Sequence, residues 1–146
     1  MKINLDCILT LIELQNFLET DCYNLNFFST LQNEVNDSYR IEFDSNLLIL
    51  FYYDRGTKKT VKYFLTEVDA IKYITNHIIN DKMAKSHHYG TFPDPTEIKN
   101  INQMLTVNKI DFWSDKIPYL GINNIAVRFF IIGCDINKVK LIDQKN

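Results

Sequence analysis

Between Tyr39 and Leu65 the chain carries three short β-prone runs divided by two compact turns, and no other stretch limits the possible fold so strongly. Tyr39, Ile41 and Phe43 alternate with Arg40 and Glu42, the period of a half-buried strand. Asp44-Ser45-Asn46 follows as a turn. Leu47–Tyr53 is then apolar throughout, which suits a central strand. Asp54-Arg55-Gly56-Thr57 supplies the second turn, with Gly56 able to take positive φ. Val61, Tyr63 and Leu65 alternate after it, so residues 39–65 are expected to form a three-stranded antiparallel meander.

Helical spacing surrounds this meander. Leu5, Ile8, Leu9, Ile12 and then Leu11, Leu14, Leu18 recur at three- and four-residue steps, predicting a helix over about 5–20. Thr66 stands where an N-cap belongs, with Glu67 and Asp69 in the first turn. Val68, Ile71, Ile74 (or Thr75) and Ile78 then give one face of a helix running to about Asp81. Asp94-Pro95-Thr96-Glu97 is a third helix start, followed by Ile98, Ile101 and Leu105. Residues 22–31 are ambiguous, and residues 81–92, with His87-His88, read as a loop. Ile110–Trp113 is a short pairing segment, residues 114–124 a loop, and Ala126–Ile132 a strand with Val139–Ile142 as its closing partner. The fold expected is α+β: one domain over residues 1–146, with an N-terminal helix, the meander, two further helices and a C-terminal strand pair, the helices covering one sheet face.

A chain of 146 residues fits one domain. The N-terminal stretch is interrupted by Asp6 and Glu13 and lacks a signal-peptide pattern. The longest apolar run, Leu47–Tyr53, has seven residues and is far short of a bilayer span. Cys7, Cys22 and Cys134 form no C-x-x-C spacing, so neither a disulfide framework nor a zinc site is signalled and reduced, buried thiols are expected. These features together predict a cytoplasmic protein.

Chemistry is sparse. The four glycines build no phosphate-cradling loop, and neither G-x-S-x-G nor H-E-x-x-H occurs. His87 and His88 are the best acid–base candidates, read as solvated loop histidines, while His77 reads as structural. No catalytic residue, metal ligand or cofactor is assigned. Arg55, Lys58, Lys59 and Lys62 sit beside Tyr63 but face nearby acids, so they read as a hairpin solvating itself, not as a nucleic-acid site. The formal net charge is −2, yet residues 1–54 hold nine acids against two bases, and residues 55–146 hold nine acids against fourteen bases. That polarity favours a basic partner on the surface of the first third, the alternative reading being uneven solvation with no partner at all.

Phe51-Tyr52-Tyr53-Asp54-Arg55-Gly56, then Val61-Lys62-Tyr63-Phe64, then Thr66–Ile74, and finally Arg128–Ile136 together resemble small immunity proteins of bacterial polymorphic-toxin and contact-dependent inhibition systems. The resemblance covers about half of the chain. It implies a cytoplasmic protein that binds one cognate toxin domain and blocks it without chemistry of its own, many such toxins being nucleases with basic clefts. It carries no catalytic residues and no contact map. The expected interface therefore rests on charge: Glu34, Asp37, Glu42, Asp44 and Asp54, with Tyr39 or Tyr53 as aromatic anchors. A small hydrolase or transferase using His87 or His88, and a generic protein-interaction module unrelated to toxins, are the competing readings. No direct nucleic-acid or membrane partner is expected.

Overall fold

The computed structural model describes residues 7–30 and 37–144. The elements, in order, are α1 (Leu11–Thr20), β1 (Phe28–Ser29), β2 (Ser38–Asp44), β3 (Leu47–Asp54), β4 (Thr57–Phe64), α2 (Glu67–Ile74), β5 (Ser86–Phe92), α3 (Pro95–Val107), β6 (Phe112–Pro118), β7 (Ile125–Ile132) and α4 (Asp135–Asp143). The class is α+β, and the order of helices and strands follows the sequence reading in outline. The chain divides into two compact units, residues 1–85 and 86–146.

The first unit holds a sheet of order β1-β2-β3-β4. The meander is present as expected: β2 pairs antiparallel with β3 from Ser38↔Tyr53 to Asp44↔Leu47, and β3 pairs antiparallel with β4. Both connections are two-residue loops, the kind whose twist requires positive φ. Ser45 sits at φ 57°, and Arg55 and Gly56 at 48° and 78°. The ambiguous stretch after α1 contributes β1, which pairs parallel with Tyr39 and Arg40. Strand β4 is the sheet's other edge, exposed from Thr57 through Tyr63, and its register shifts opposite Leu50 and Phe51.

Alternation sends Ile41, Leu48, Leu50 and Phe64 to one face, where they share a core with Leu11, Leu14, Leu18, Ala70, Ile71, Ile74 and Ile78 of the helical segments. The helices of this unit thus pack on one sheet face. Helix α1 begins later than its periodicity suggests. Thr10 accepts from the Glu13 N–H while the Glu13 carboxylate accepts from the Thr10 N–H, and that reciprocal cap fixes the start at Leu11. Leu5, at the start of the expected helix, lies outside the described residues. Thr66 caps α2 through the Asp69 N–H, as its position implies. Helix α2 then widens into a π-helical turn, Thr75–Ile79.

The second unit holds a sheet of order β5-β7-β6, both pairings antiparallel. Leu105, Ile110, Phe129, Ile131 and Val139 form its core. Asp94 caps α3, accepting from the N–H groups of Thr96 and Glu97, with Pro95 in the first turn. Two expectations are overturned here. Residues 86–92 are strand β5, because their backbone completes the open side of β7. Residues 139–142 belong to α4, where Val139 turns into the core, so the strand closing against β7 is β6, extended from the expected short segment to Pro118.

Candidate functional site

The register brings Arg40, Glu42, Phe51, Tyr53 and Lys58 to one face of the first sheet. There the Tyr53 hydroxyl donates to Glu42 at 2.7 Å and the Lys58 ammonium to the same carboxylate at 2.5 Å. Lys58 also lies over the Phe51 ring, 3.9 Å from its centroid. Burial pushes the Glu42 carboxyl up, but the bonds from Lys58 and Tyr53 outweigh it and hold the group below its ordinary value. The same bond from the other side raises Lys58. Asp54 is held down by Lys59, whose ammonium donates at 2.9 Å. Asp37 accepts from the Tyr52 hydroxyl at 3.4 Å. Glu34 lies outside the described residues.

The expected negative face is therefore partly cancelled by β4, whose lysines solvate the meander as the sequence indicated. The expected aromatic anchors are not outward rings. Tyr53 is only 8% exposed. Tyr39 is half-buried between Phe27 and Tyr52, with ring centroids 5.7 and 4.9 Å away. Both rings serve packing, and Tyr53 orients a carboxylate.

Two other aromatics of this sheet stand outward, Phe43, 66% exposed, and Tyr63 on β4, 58% exposed. Phe43 follows the same alternation as Ile41 and lies in one cross-strand row with Leu48 and Phe64. Those two are buried, whereas Phe43, at the strand end, stands in solvent. Asp44 is exposed beside it and accepts from the Ser45 hydroxyl at 3.3 Å. Leu65, directly after Phe64, is also exposed, as are Leu9 and Ile12 near the start of α1. The Glu67 carboxylate joins the two helix starts of this unit by accepting from the Leu11 N–H at 2.8 Å. The sequence signal for Phe43 was its place last in the alternating run, next to a turn.

His87 and His88 lie on β5 and not in a loop, on opposite faces of the strand, so they cannot converge on one atom. His88 is exposed, with Nε2 3.1 Å from the Thr91 hydroxyl and its ring 5.4 Å from that of Phe130. His77 stacks on Tyr73 at 4.2 Å, with Nδ1 3.0 Å from the Tyr73 carbonyl, in keeping with the structural role expected of it. Among the described residues no group of three or more His, Cys, Asp or Glu side chains is placed to hold a metal. The reduced, buried thiols expected from the sequence are not found: Cys7 is free and exposed, while Cys134, exposed at the N-cap of α4, and Cys22, half-buried, are disulfide-bonded. Among the described residues no helix is long and apolar enough to cross a membrane.

A second apolar surface lies in the other unit, on the turn between β6 and β7. Leu120 and Ile122 are 86% and 91% exposed there, and Leu120 is held at φ 51°.

Comparison with known proteins finds no matching family model, no similar curated protein and no similar solved structure.

Proposed function

We propose that this chain is a toxin-neutralising immunity protein that binds a cognate toxin domain and occludes its active site, using the end of the first sheet at the β2–β3 turn. The observation that supports this most is Phe43, a large exposed ring beside the exposed carboxylate of Asp44 on a rigid hairpin. A protruding aromatic beside a charge is the composition of a binding hot spot, and a hairpin anchored in a core loses little entropy on docking. The acid excess of residues 1–54 supports a basic partner surface, which would be approached faster at low salt. Asp37 and Asp44 lie outside the two lysine pairs and are the expected recognition charges, while Glu42 and Asp54 hold the hairpin's shape.

The test is co-expression with the toxin domain encoded beside this gene. Wild type is expected to restore growth and to co-purify with the toxin. Phe43→Ala is expected to weaken the complex by about 2 kcal/mol or more if it is a central anchor. Asp44→Lys is expected to act chiefly on association rate and its salt dependence. Absence of rescue and of complex refutes the reading. Rescue abolished by Leu120→Asp but untouched by both Phe43→Ala and Asp44→Lys would move the contact to the β6–β7 turn.

A further inference from the structure

Along α2 and the π-helical turn that follows it lies a cavity of about 320 Å³, lined by Ile8, Leu9, Val68, Ile71 and the polar residues Lys72, Thr75, Asn76 and Asn80. That volume matches the lower end of small-ligand sites. Ile8, Ile71 and Thr75 are buried and form its floor, while Leu9, Val68, Lys72, Asn76 and Asn80 are exposed around its rim. The two ends differ in chemistry: aliphatic carbon on one side, an ammonium and two amides on the other.

The helix geometry explains why the polar groups stand in line. Val68, Lys72, Asn76 and Asn80 are spaced by four. In a regular α-helix such a series drifts by about 40° per step around the axis. The π-helical turn at Thr75–Ile79 is wider and turns the drift back, so Asn76 and Asn80 remain on the side that Lys72 occupies. Local bonds hold this irregular turn. The Thr75 hydroxyl donates to the Ile71 carbonyl at 2.8 Å, and the Asn80 amide donates to the Thr75 carbonyl at 2.9 Å. Lys72 is in no ion pair among the described residues, and no acid is among the lining residues.

We propose that this cavity binds a small amphipathic anion, an aliphatic or aromatic carboxylate, with its apolar body against Ile8, Leu9, Val68 and Ile71 and its carboxylate on the Lys72 ammonium and the Asn76 amide. The inference stands apart from toxin binding, since it uses neither Phe43 nor Asp44. Carboxylate on ammonium is a charge-assisted hydrogen bond, and the apolar half supplies the burial that free acetate lacks.

The full-length protein, labelled with ¹⁵N, is titrated with sodium octanoate below its micelle concentration, with octylammonium as the reversed-charge control. Saturable amide shifts confined to Ile8–Leu9 and Val68–Asn80 are expected, with octylammonium producing none. Lys72→Met is expected to weaken octanoate about tenfold, the effect of one charge-assisted bond. Val68→Trp, on the exposed rim, is expected to fill the site and remove the shifts while the rest of the spectrum stays folded. Non-saturating or scattered shifts overturn the proposal. So does equal binding of octylammonium, or octanoate binding that neither variant changes.

Discussion

In the first unit each strand of the meander pairs with its neighbours in sequence, whereas in the second unit the last strand of the chain lies in the middle of its sheet. The meander closes through two-residue loops, so its register is set by local turn chemistry and alternation. Strand β7 has to recruit β5 across α3 and β6, and the pairing depends on contacts that are distant in sequence. The first arrangement can be written into 27 consecutive residues, Tyr39 to Leu65; the second has to be held by its core.

That contrast can be broken at the core of the second sheet. Phe129 is fully buried among the rings of Phe92 and Phe112, with centroids about 6 Å away. Phe129→Ala should cost about 3–5 kcal/mol, and the same truncation at Leu50, fully buried in the meander, about 2–5 kcal/mol. Urea denaturation monitored by circular dichroism checks both. A cost below 1 kcal/mol at Phe129 would mean that β7 is not held by its ring cluster.

A finer comparison uses two glycines. Gly90 sits at the β5 register shift, where an added Cβ would lie 2.5 Å from the Phe92 ring. Phe92 is packed against Phe129, so Gly90→Ala should overpack that site and cost about 1–3 kcal/mol. At Gly56, with φ at 78° and nothing within 4 Å, an added methyl meets no neighbour and the cost arises from the backbone alone. Cavity-relieving Phe92→Leu should rescue Gly90→Ala and leave Gly56→Ala unchanged.

The smallest effect concerns charge. A double-mutant cycle on Glu42 and Lys58, using Gln and Met, should give a coupling of about 0.2–1 kcal/mol, the range for a pair that still faces water. Because the folded state holds the Glu42 carboxyl below its ordinary value, its contribution is present at neutral pH and is lost as pH falls below about 4. Denaturation midpoints at pH 7 and pH 3.5 should therefore differ less for Glu42→Gln than for wild type.

What was legible in the sequence follows the same division. The meander, the Thr66 cap and the Asp94-Pro95 start are local signals, and each appears where it was read. Strand β5 was not legible, because Ser86-His87-His88-Tyr89-Gly90-Thr91-Phe92 has no clear alternation and is a strand only by virtue of β7. The segment Val139–Ile142 has β-prone residues, yet it is helical. Asp135 starts that helix, bonding Lys138 three residues on and accepting from the Asp111 N–H. Among the acids expected at an interface, Glu42, Asp44 and Asp54 are on the meander as read, and the reading of Lys58 and Lys59 as solvating that hairpin holds, but the sequence did not show which acid each lysine would pair with. It also could not show where the helical cover of one sheet face ends, which is what leaves Phe43 outside, or that Tyr53 would be buried on the opposite face beside Glu42.

The outer rim of β4 has one more consequence. A bare strand edge offers backbone groups to any passing extended chain, and a second copy of this protein is always the nearest candidate. Here that rim carries Lys58, Lys59 and Lys62 and is kinked by the register shift, so an incoming identical strand meets like charge and an irregular hydrogen-bond ladder. The sheet thereby resists growing by strand addition at this edge.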